Sequence, residues 1–227
     1  RTVSSAASDV YKRQPQFDKV AISGIRDVSA VDFAYAKQLG FRIKLVGTAE
    51  PGRMPRMQTC LLPMSTQLAK VDGVLNAVEF DADPVGSVVL TGPGAGSGAT
   101  SSAVLSDLVD LACDRIPFTF GRPVAALADG SAVENGGGPD TPFYVRLMVV
   151  DKPGVLADIT SVLQIHDISV ESMLQQGRAP QDTVALVLAT HEVGVDRLMT
   201  ALTEIESLSC VMAAPVAMPI LVPGQEG

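Results

Sequence analysis

Apolar positions along the chain fall into two periods. Phe41-Arg42-Ile43-Lys44-Leu45-Val46-Gly47 alternates and predicts a strand, with a partner at residues 57–62 after a turn at Pro51-Gly52. Before it, Val31, Ala34, Tyr35 and Leu39 repeat at helical spacing. That helix opens at Asp27-Val28-Ser29, where Ser29 and Asp32 form a capping-box-like pair, and closes at Gly40. Residues 19–22 read as extended, and residues 76–80 and 86–91 as a strand pair around Asp81-Ala82-Asp83-Pro84. The second of these runs into a glycine-rich turn, Gly92 to Gly98, and then a helix from Thr100 to about Cys113 with Val104, Leu105, Leu108, Leu111 and Ala112 on one stripe.

From Phe143 onward the pattern is clearer. Tyr144–Val150 predicts a strand and Asp151-Lys152-Pro153-Gly154 a turn. Val155, Leu156, Ile159, Val162 and Leu163 predict an amphipathic helix. Strands follow at 168–175 and 183–190 around a polar loop, 176–182. A second helix is marked by Val195, Leu198, Leu202 and Ile205, and a strand closes the unit within 209–220. The order βαββαβ is that of a ferredoxin-like α+β fold, in about 75 residues. Both helices would cover one face of a four-stranded antiparallel sheet. The other face, or an edge strand, must also be covered, and a second copy of the chain is the usual solution. The division expected is a tail at 1–16, a first globular part at 17–123, a linker at 124–142 containing Asn135-Gly136-Gly137-Gly138-Pro139-Asp140, and the βαββαβ unit at 143–221. The tail shows no hydrophobic period, lacks the apolar core of a signal peptide, and reads as disordered or foreign.

Composition narrows the function classes. The 227 residues are 47% hydrophobic and 19% charged, enough to bury a core. A net charge of −8 argues against nucleic acid and anionic membrane as partners, and no apolar run is long enough to span a bilayer. The three cysteines, Cys60, Cys113 and Cys210, have no metal-ligand spacing and are expected as small core residues of a reduced, cytoplasmic protein.

Candidate chemistry concentrates at two turns. Gly94-Ala95-Gly96-Ser97-Gly98-Ala99 fits G-x-G-x-x-G/A, where glycines admit close backbone approach and the first helical turn leaves N–H groups without internal partners. A dinucleotide fingerprint would open a βαβ unit with an acidic residue about 20 positions on. The segment that follows, Ile116 to Pro123, offers neither strand nor carboxylate, so a cofactor turn and a plain strand-to-helix turn both stand. At the second turn, Gly154 and the freed N–H groups behind it can hold the carboxylate of an amino acid. Elsewhere, Lys44 reads as a solvated strand lysine, and Asp107, Asp110 and Asp114 as an acidic helix face. His166 and His191 receive no role.

Two resemblances sharpen this. Val149-Val150-Asp151-Lys152-Pro153-Gly154-Val155-Leu156-Ala157-Asp158-Ile159 and His166-Asp167-Ile168-Ser169-Val170-Glu171-Ser172 resemble the ACT domain, a small ligand-sensing module attached to enzymes of amino-acid metabolism. The resemblance implies an amino-acid effector, threonine first, held by Asp151, Gly154, Val155 and Leu156 with Gln175 on the facing strand. The first part resembles the C-terminal half of the homoserine dehydrogenase catalytic region. The matching stretches run in the family's order: Gly24 to Val28, Ala36 to Leu45, Leu68 to Val78, Asp83-Pro84-Val85-Gly86, Gly92 to Ala99, and Ser102 to Leu108. Ser23 and Thr66-Gln67 depart from the family's glutamate and His-Pro. In that family the glycine-rich turn lies near the nicotinamide, and the resemblance implies a backbone contact to NADP or NAD from Gly96, with Gly94 beside it. It further implies hydride exchange between NAD(P)H and L-aspartate 4-semialdehyde to give L-homoserine, on the route to threonine, methionine and isoleucine, in a homodimer or homotetramer. The nucleotide domain and the catalytic lysine segment are expected to precede Phe17, so no catalytic residue is assigned and the chain alone is expected to be silent. A free-standing amino-acid-binding or dimerisation module is the alternative.

Overall fold

The computed structural model describes residues 20–50, 55–115, 140–175 and 183–222, together with the backbone of a two-residue parallel pair, Arg13–Gln14 with Ala128–Asp129. Most of the expected tail, the Pro51-Gly52 turn, most of the linker and the polar loop at 176–182 lie outside the described residues. The chain separates into two compact units: residues 1–21, 47–56 and 64–134 form one, and residues 22–46, 57–63 and 135–227 the other.

The larger unit is built on the βαββαβ segment. Strand β6 (Phe143–Val150), helix α3 (Val155–Ile165), strands β7 (Val170–Gln175) and β8 (Thr183–Thr190), helix α4 (Val195–Glu206) and strand β9 (Val211–Pro219) follow in order. The sheet order is β9-β6-β8-β7, antiparallel at every pairing, as the expected ferredoxin-like topology requires. Period-two alternation sends Val145, Leu147 and Val149 of β6 to one face, with Leu186 and Leu188 of β8 beside them. There they meet Ile159, Val162 and Leu163 of α3 and Leu198, Ala201, Leu202 and Ile205 of α4, all buried.

The opposite face, for which cover by a second copy is one expectation, is covered within this chain, and the edge-strand alternative is untouched by that. Tyr144, Val187, Ala189 and Met218 pack against Tyr35, Ala36, Leu61 and Ile220 of the same chain. Tyr35 and Ala36 belong to helix α1 (Ala30–Gln38), and Leu61 to strand β3 (Arg56–Pro63). A three-stranded sheet places β3 between β1 (Ala21–Ile22) and β2 (Phe41–Thr48). A parallel bridge between Leu61 and Ile220, with the Leu221 amide donating to the Leu61 carbonyl at 2.9 Å, fastens β3 beside the end of β9.

Helix α1 begins and ends as the sequence predicts. The Ser29 amide and hydroxyl donate to Asp32 Oδ2 at 2.7 and 2.9 Å, completing the capping box, and Gly40 takes φ +82° just past the last turn. Its buried stripe differs from the one expected. Asp32, Tyr35 and Ala36 face inward, whereas Val31 is exposed. The sheet face offers Arg146 and Tyr144, so the helix presents its carboxylate to them and leaves a valine in water.

In the smaller unit, β4 (Leu75–Ala82) and β5 (Gly86–Pro93) form an antiparallel hairpin, and helix α2 (Ser97–Ala112) follows the glycine-rich turn. The stripe expected on α2 is present but not covered. Val104, Leu105, Leu108 and Leu111 are all exposed, and no residue of the helix is buried. Cys113, expected in the core, is exposed because it ends this uncovered helix, while Cys60 on β3 is buried. Burial pushes the Cys60 thiol up to about 12, so it remains protonated at neutral pH. Among the described residues no helix is long and apolar enough to cross a membrane, and no three His, Cys, Asp or Glu side chains converge as a metal would require.

Candidate functional site

The turn after the first strand of the βαββαβ unit is made by a change of element. Strand β6 ends at Val150, the Lys152 amide returns to the Val150 carbonyl at 2.9 Å, and Gly154 takes φ +97° as N-cap of α3. A left-handed φ is costly for any residue with a Cβ, which is why glycine stands there. Glycine also leaves α3 without a side-chain cap, so the first N–H groups of the helix have no partner from residue 154. Beside them is a cavity of ≈ 390 Å³ lined by Asp151, Gly154, Val155, Leu156, Gln175 and Leu186, among others. The structure therefore brings all five residues singled out for an effector to one hollow. Gln175 arrives from β7 because it pairs with Leu186 in register on β8, and Leu186 in turn pairs with Leu147 on β6. Leu186, part of the floor, was not singled out in the sequence. Its only signal was its inward position on a predicted strand.

The chemistry of this hollow suits a small zwitterion. Uncapped helix N–H groups and the positive end of the α3 dipole favour a carboxylate. The Asp151 carboxylate favours an ammonium, and Gln175 can both donate and accept. The volume, ≈ 390 Å³, is in the range of small-molecule sites.

The glycine-rich turn forms the second candidate. Gly94 sits at the end of the hairpin, its amide donating to the Val74 carbonyl at 2.8 Å, and the Asn76 carboxamide occupies the space a Cβ at Gly94 would need. Gly96 takes φ +113° as N-cap of α2, its carbonyl accepts from the Thr100 amide at 3.1 Å and hydroxyl at 3.0 Å, and nothing lies within 4 Å of where its Cβ would be. The turn is exposed and α2 has no side-chain cap. Open space at Gly96 and a helix start without a side-chain cap leave room for a polar or anionic group at this turn. The same turn does not make a βαβ fingerprint, since β5 is antiparallel to β4.

Sequence reading missed a third cluster. Asp32 is fully buried, and its Oδ1 accepts from Tyr144 Oη at 2.8 Å and from Arg146 Nε at 2.7 Å. Arg146 also donates from Nη2 to the Asp27 carbonyl at 3.1 Å. Burial by itself would raise the Asp32 carboxyl. The Ser29 amide, Arg146, Tyr144 and the Ser29 hydroxyl together hold it below the usual carboxylate range. Burial and the neighbouring Asp32 push the Tyr144 phenol well above its ordinary value. The capping-box pair was legible, but nothing in the sequence marks which residues 112 and 114 positions away share Asp32. His166, given no partner in the sequence reading, contacts Glu204 through Nε2 at 2.8 Å and ties α3 to α4 at the surface.

The comparisons agree across the chain. The homoserine dehydrogenase family model matches residues 3–109, and the ACT domain model matches residues 143–210. A homoserine dehydrogenase of Neisseria gonorrhoeae is 34% identical over 212 residues, covering 89% of this chain and 48% of that protein. One from Pseudomonas aeruginosa is 35% identical over 216 residues, covering 90% and 49%. The crystal structure of a homoserine dehydrogenase from Thiobacillus denitrificans superposes with a TM-score of 0.82 at 31% identity, over 97% of this chain and 52% of that one. The chain thus spans about half the length of the curated relatives it matches.

Proposed function

We infer, from a chain that carries a homoserine dehydrogenase segment followed by an ACT domain, that it serves the NAD(P)-dependent interconversion of L-homoserine and L-aspartate 4-semialdehyde under amino-acid control. The observation that carries the reading is the ordered match to the two family models, with an exposed, uncapped glycine turn in the first segment and an uncapped, cavity-lining glycine turn in the second. The nicotinamide supplies the hydride acceptor and donor when bound. The chain's own part at that end is backbone: Gly96, with Gly94 beside it, lets the cofactor approach, and the first N–H groups of α2 face an electronegative edge. Threonine is the first candidate for the effector, its carboxylate on the α3 N-terminus, its ammonium at Asp151 and its polar remainder at Gln175. The nucleotide domain and the proton-handling lysine of the family are assigned to the half of the relatives that this chain does not match. The 227-residue chain alone is accordingly silent in hydride transfer. The family resemblance also supports a homodimer or homotetramer.

Two measurements test this. Absorbance at the reduced nicotinamide band is followed with L-homoserine and NADP or NAD, first for the chain alone and then for a fusion to the unmatched half of the P. aeruginosa relative. No turnover alone and turnover in the fusion is expected; homoserine oxidation by the chain alone refutes the assignment of the missing parts. Calorimetric titration of the chain with threonine, isoleucine and methionine tests the effector arm, and absence of heat for all three leaves the cavity without that role.

A further inference from the structure

Two of the three strands that meet at the effector cavity also hold helix α1. Val149 and Val150, at the end of β6, line the cavity; Tyr144 and Arg146, earlier on the same strand, grip Asp32. Leu186 of β8 lines the cavity; the carbonyl of the adjoining Ala185 accepts from the Tyr35 hydroxyl at 3.4 Å. Strand β6 is paired on both sides, in continuous register with β8 and with two register shifts against β9, so residues 146–150, a span of roughly 14 Å, are tied into one sheet. Helix α1 is one part of the homoserine dehydrogenase segment packed on this sheet face, beside Leu61 of β3, and the one that Tyr144 and Arg146 grip. Asp32 has two tasks there. Its Oδ2 closes the capping box on Ser29 and its Oδ1 takes Tyr144 and Arg146, so a shift of the strand disturbs the start of the helix as well as its docking.

We propose that the Asp32–Tyr144–Arg146 cluster couples the effector turn to helix α1, so that occupancy of the cavity changes how the homoserine dehydrogenase segment is held. The proposal rests on the reading of residues 151–156 and Gln175 as an amino-acid site. A fully buried carboxylate shared by a phenol and a guanidinium has few alternative arrangements, and its surroundings favour discrete docked and undocked states over a graded slide. Coupling between sites is reciprocal: whatever the effector does to α1, loosening α1 must do to the effector.

The test uses the full chain in four forms: wild type, Tyr144→Phe, Asp32→Asn, and Ile205→Val as a control that thins the core on the other face of the sheet. Tyr144→Phe removes one hydroxyl from the cluster and keeps the ring, so it remains informative if Asp32→Asn fails to fold. Without ligand, amide exchange at residues 155–157 should speed up at least about threefold in Tyr144→Phe relative to Ile205→Val after both are normalised to global stability. Equal exchange in the two overturns the coupling. With threonine, the dissociation constant should rise at least about fivefold in Tyr144→Phe and stay within about twofold in Ile205→Val. Heat of binding with an unchanged constant in Tyr144→Phe overturns the coupling and keeps the effector reading. Absence of heat in wild type overturns the effector reading, and the exchange comparison then decides the mechanical link by itself.

Discussion

Asp32 is the residue on which most depends. Replacing it with Asn leaves the Arg146 guanidinium, whose side chain is 11% exposed, without its counter-charge, and loss of one partner of a buried pair costs about 3–5 kcal/mol. The pH dependence has a definite sign. The folded carboxyl titrates below its unfolded value of 3.8, so the unfolded chain binds more protons in the window between the two, and stability rises with pH through it. The contribution is fully present above the unfolded value and lost as pH falls through the folded one. In thermal unfolding followed from about pH 2.5 to about pH 6, roughly 1.5 pH units either side of the carboxylate range, the gap in melting temperature between wild type and Asp32→Asn should widen with pH and then level off; a constant gap would show that the charge is not what matters. The glycines divide by cause. At Gly154 and Gly96 an alanine finds open space but a strained backbone, left-handed at Gly154 and in a region that glycine alone populates at Gly96, so each substitution costs about 1–3 kcal/mol from strain alone. At Gly94 the backbone is ordinary and the obstacle is the Asn76 carboxamide. Asn76→Ala should therefore offset Gly94→Ala and leave Gly96→Ala unchanged, a double-mutant cycle readable in denaturant midpoints.

Among the elements, α2 and α3 are a natural pair for comparison, since each follows a glycine N-cap with positive φ. Helix α3 buries Val155, Ile159, Val162 and Leu163, while α2, at 16 residues, buries none. Isolated helices of about 12–15 residues are marginal in water, and α2 has neither a side-chain cap nor an acidic first turn to help it. Its amides should exchange at least about a hundredfold faster than those of α3 in the chain by itself, and comparable protection of the two would mean that α2 is covered in solution. The same contrast shows what was legible beforehand. Period and capping residues gave the strand and helix order from Phe143, the Ser29–Asp32 cap and the stripe on α2. They could not say that the stripe on α2 would stay in water while α1 buried a carboxylate, because burial is decided by what arrives from elsewhere in the chain. A strand such as β6, apolar at nearly every position, announces that both faces are covered, but Arg146 within it was the one clue to a charged partner on the far side.

For the molecule as a whole, the boundaries of the matched families and the boundaries of packing do not coincide. The ACT domain match covers residues 143–210, whereas the compact unit around it also takes in residues 22–46 and 57–63 from the homoserine dehydrogenase segment. One face of the ACT sheet is thus completed by an earlier part of the same polypeptide, through Tyr35, Ala36 and Leu61. Excising residues 140–222 removes that cover from Tyr144, Val187, Ala189 and Met218, which are at most 3% exposed in the intact chain. Burying an apolar side chain of this size is worth about 1.5–3 kcal/mol, and returning four partly to water outweighs the relief of hydrating Arg146. A loss of even about 2 kcal/mol in a domain of this size lowers its melting temperature by about 8–16 °C. The excised segment should therefore melt at least about 8 °C below the same sheet in the full chain, followed by exchange at the β8 amides. Adding residues 22–63 back in the same polypeptide should restore it, and adding them with Asp32→Asn should not. If the excised segment instead melts at the same temperature as a monomer, helix α1 is a passenger on the sheet and the cluster beneath it transmits nothing.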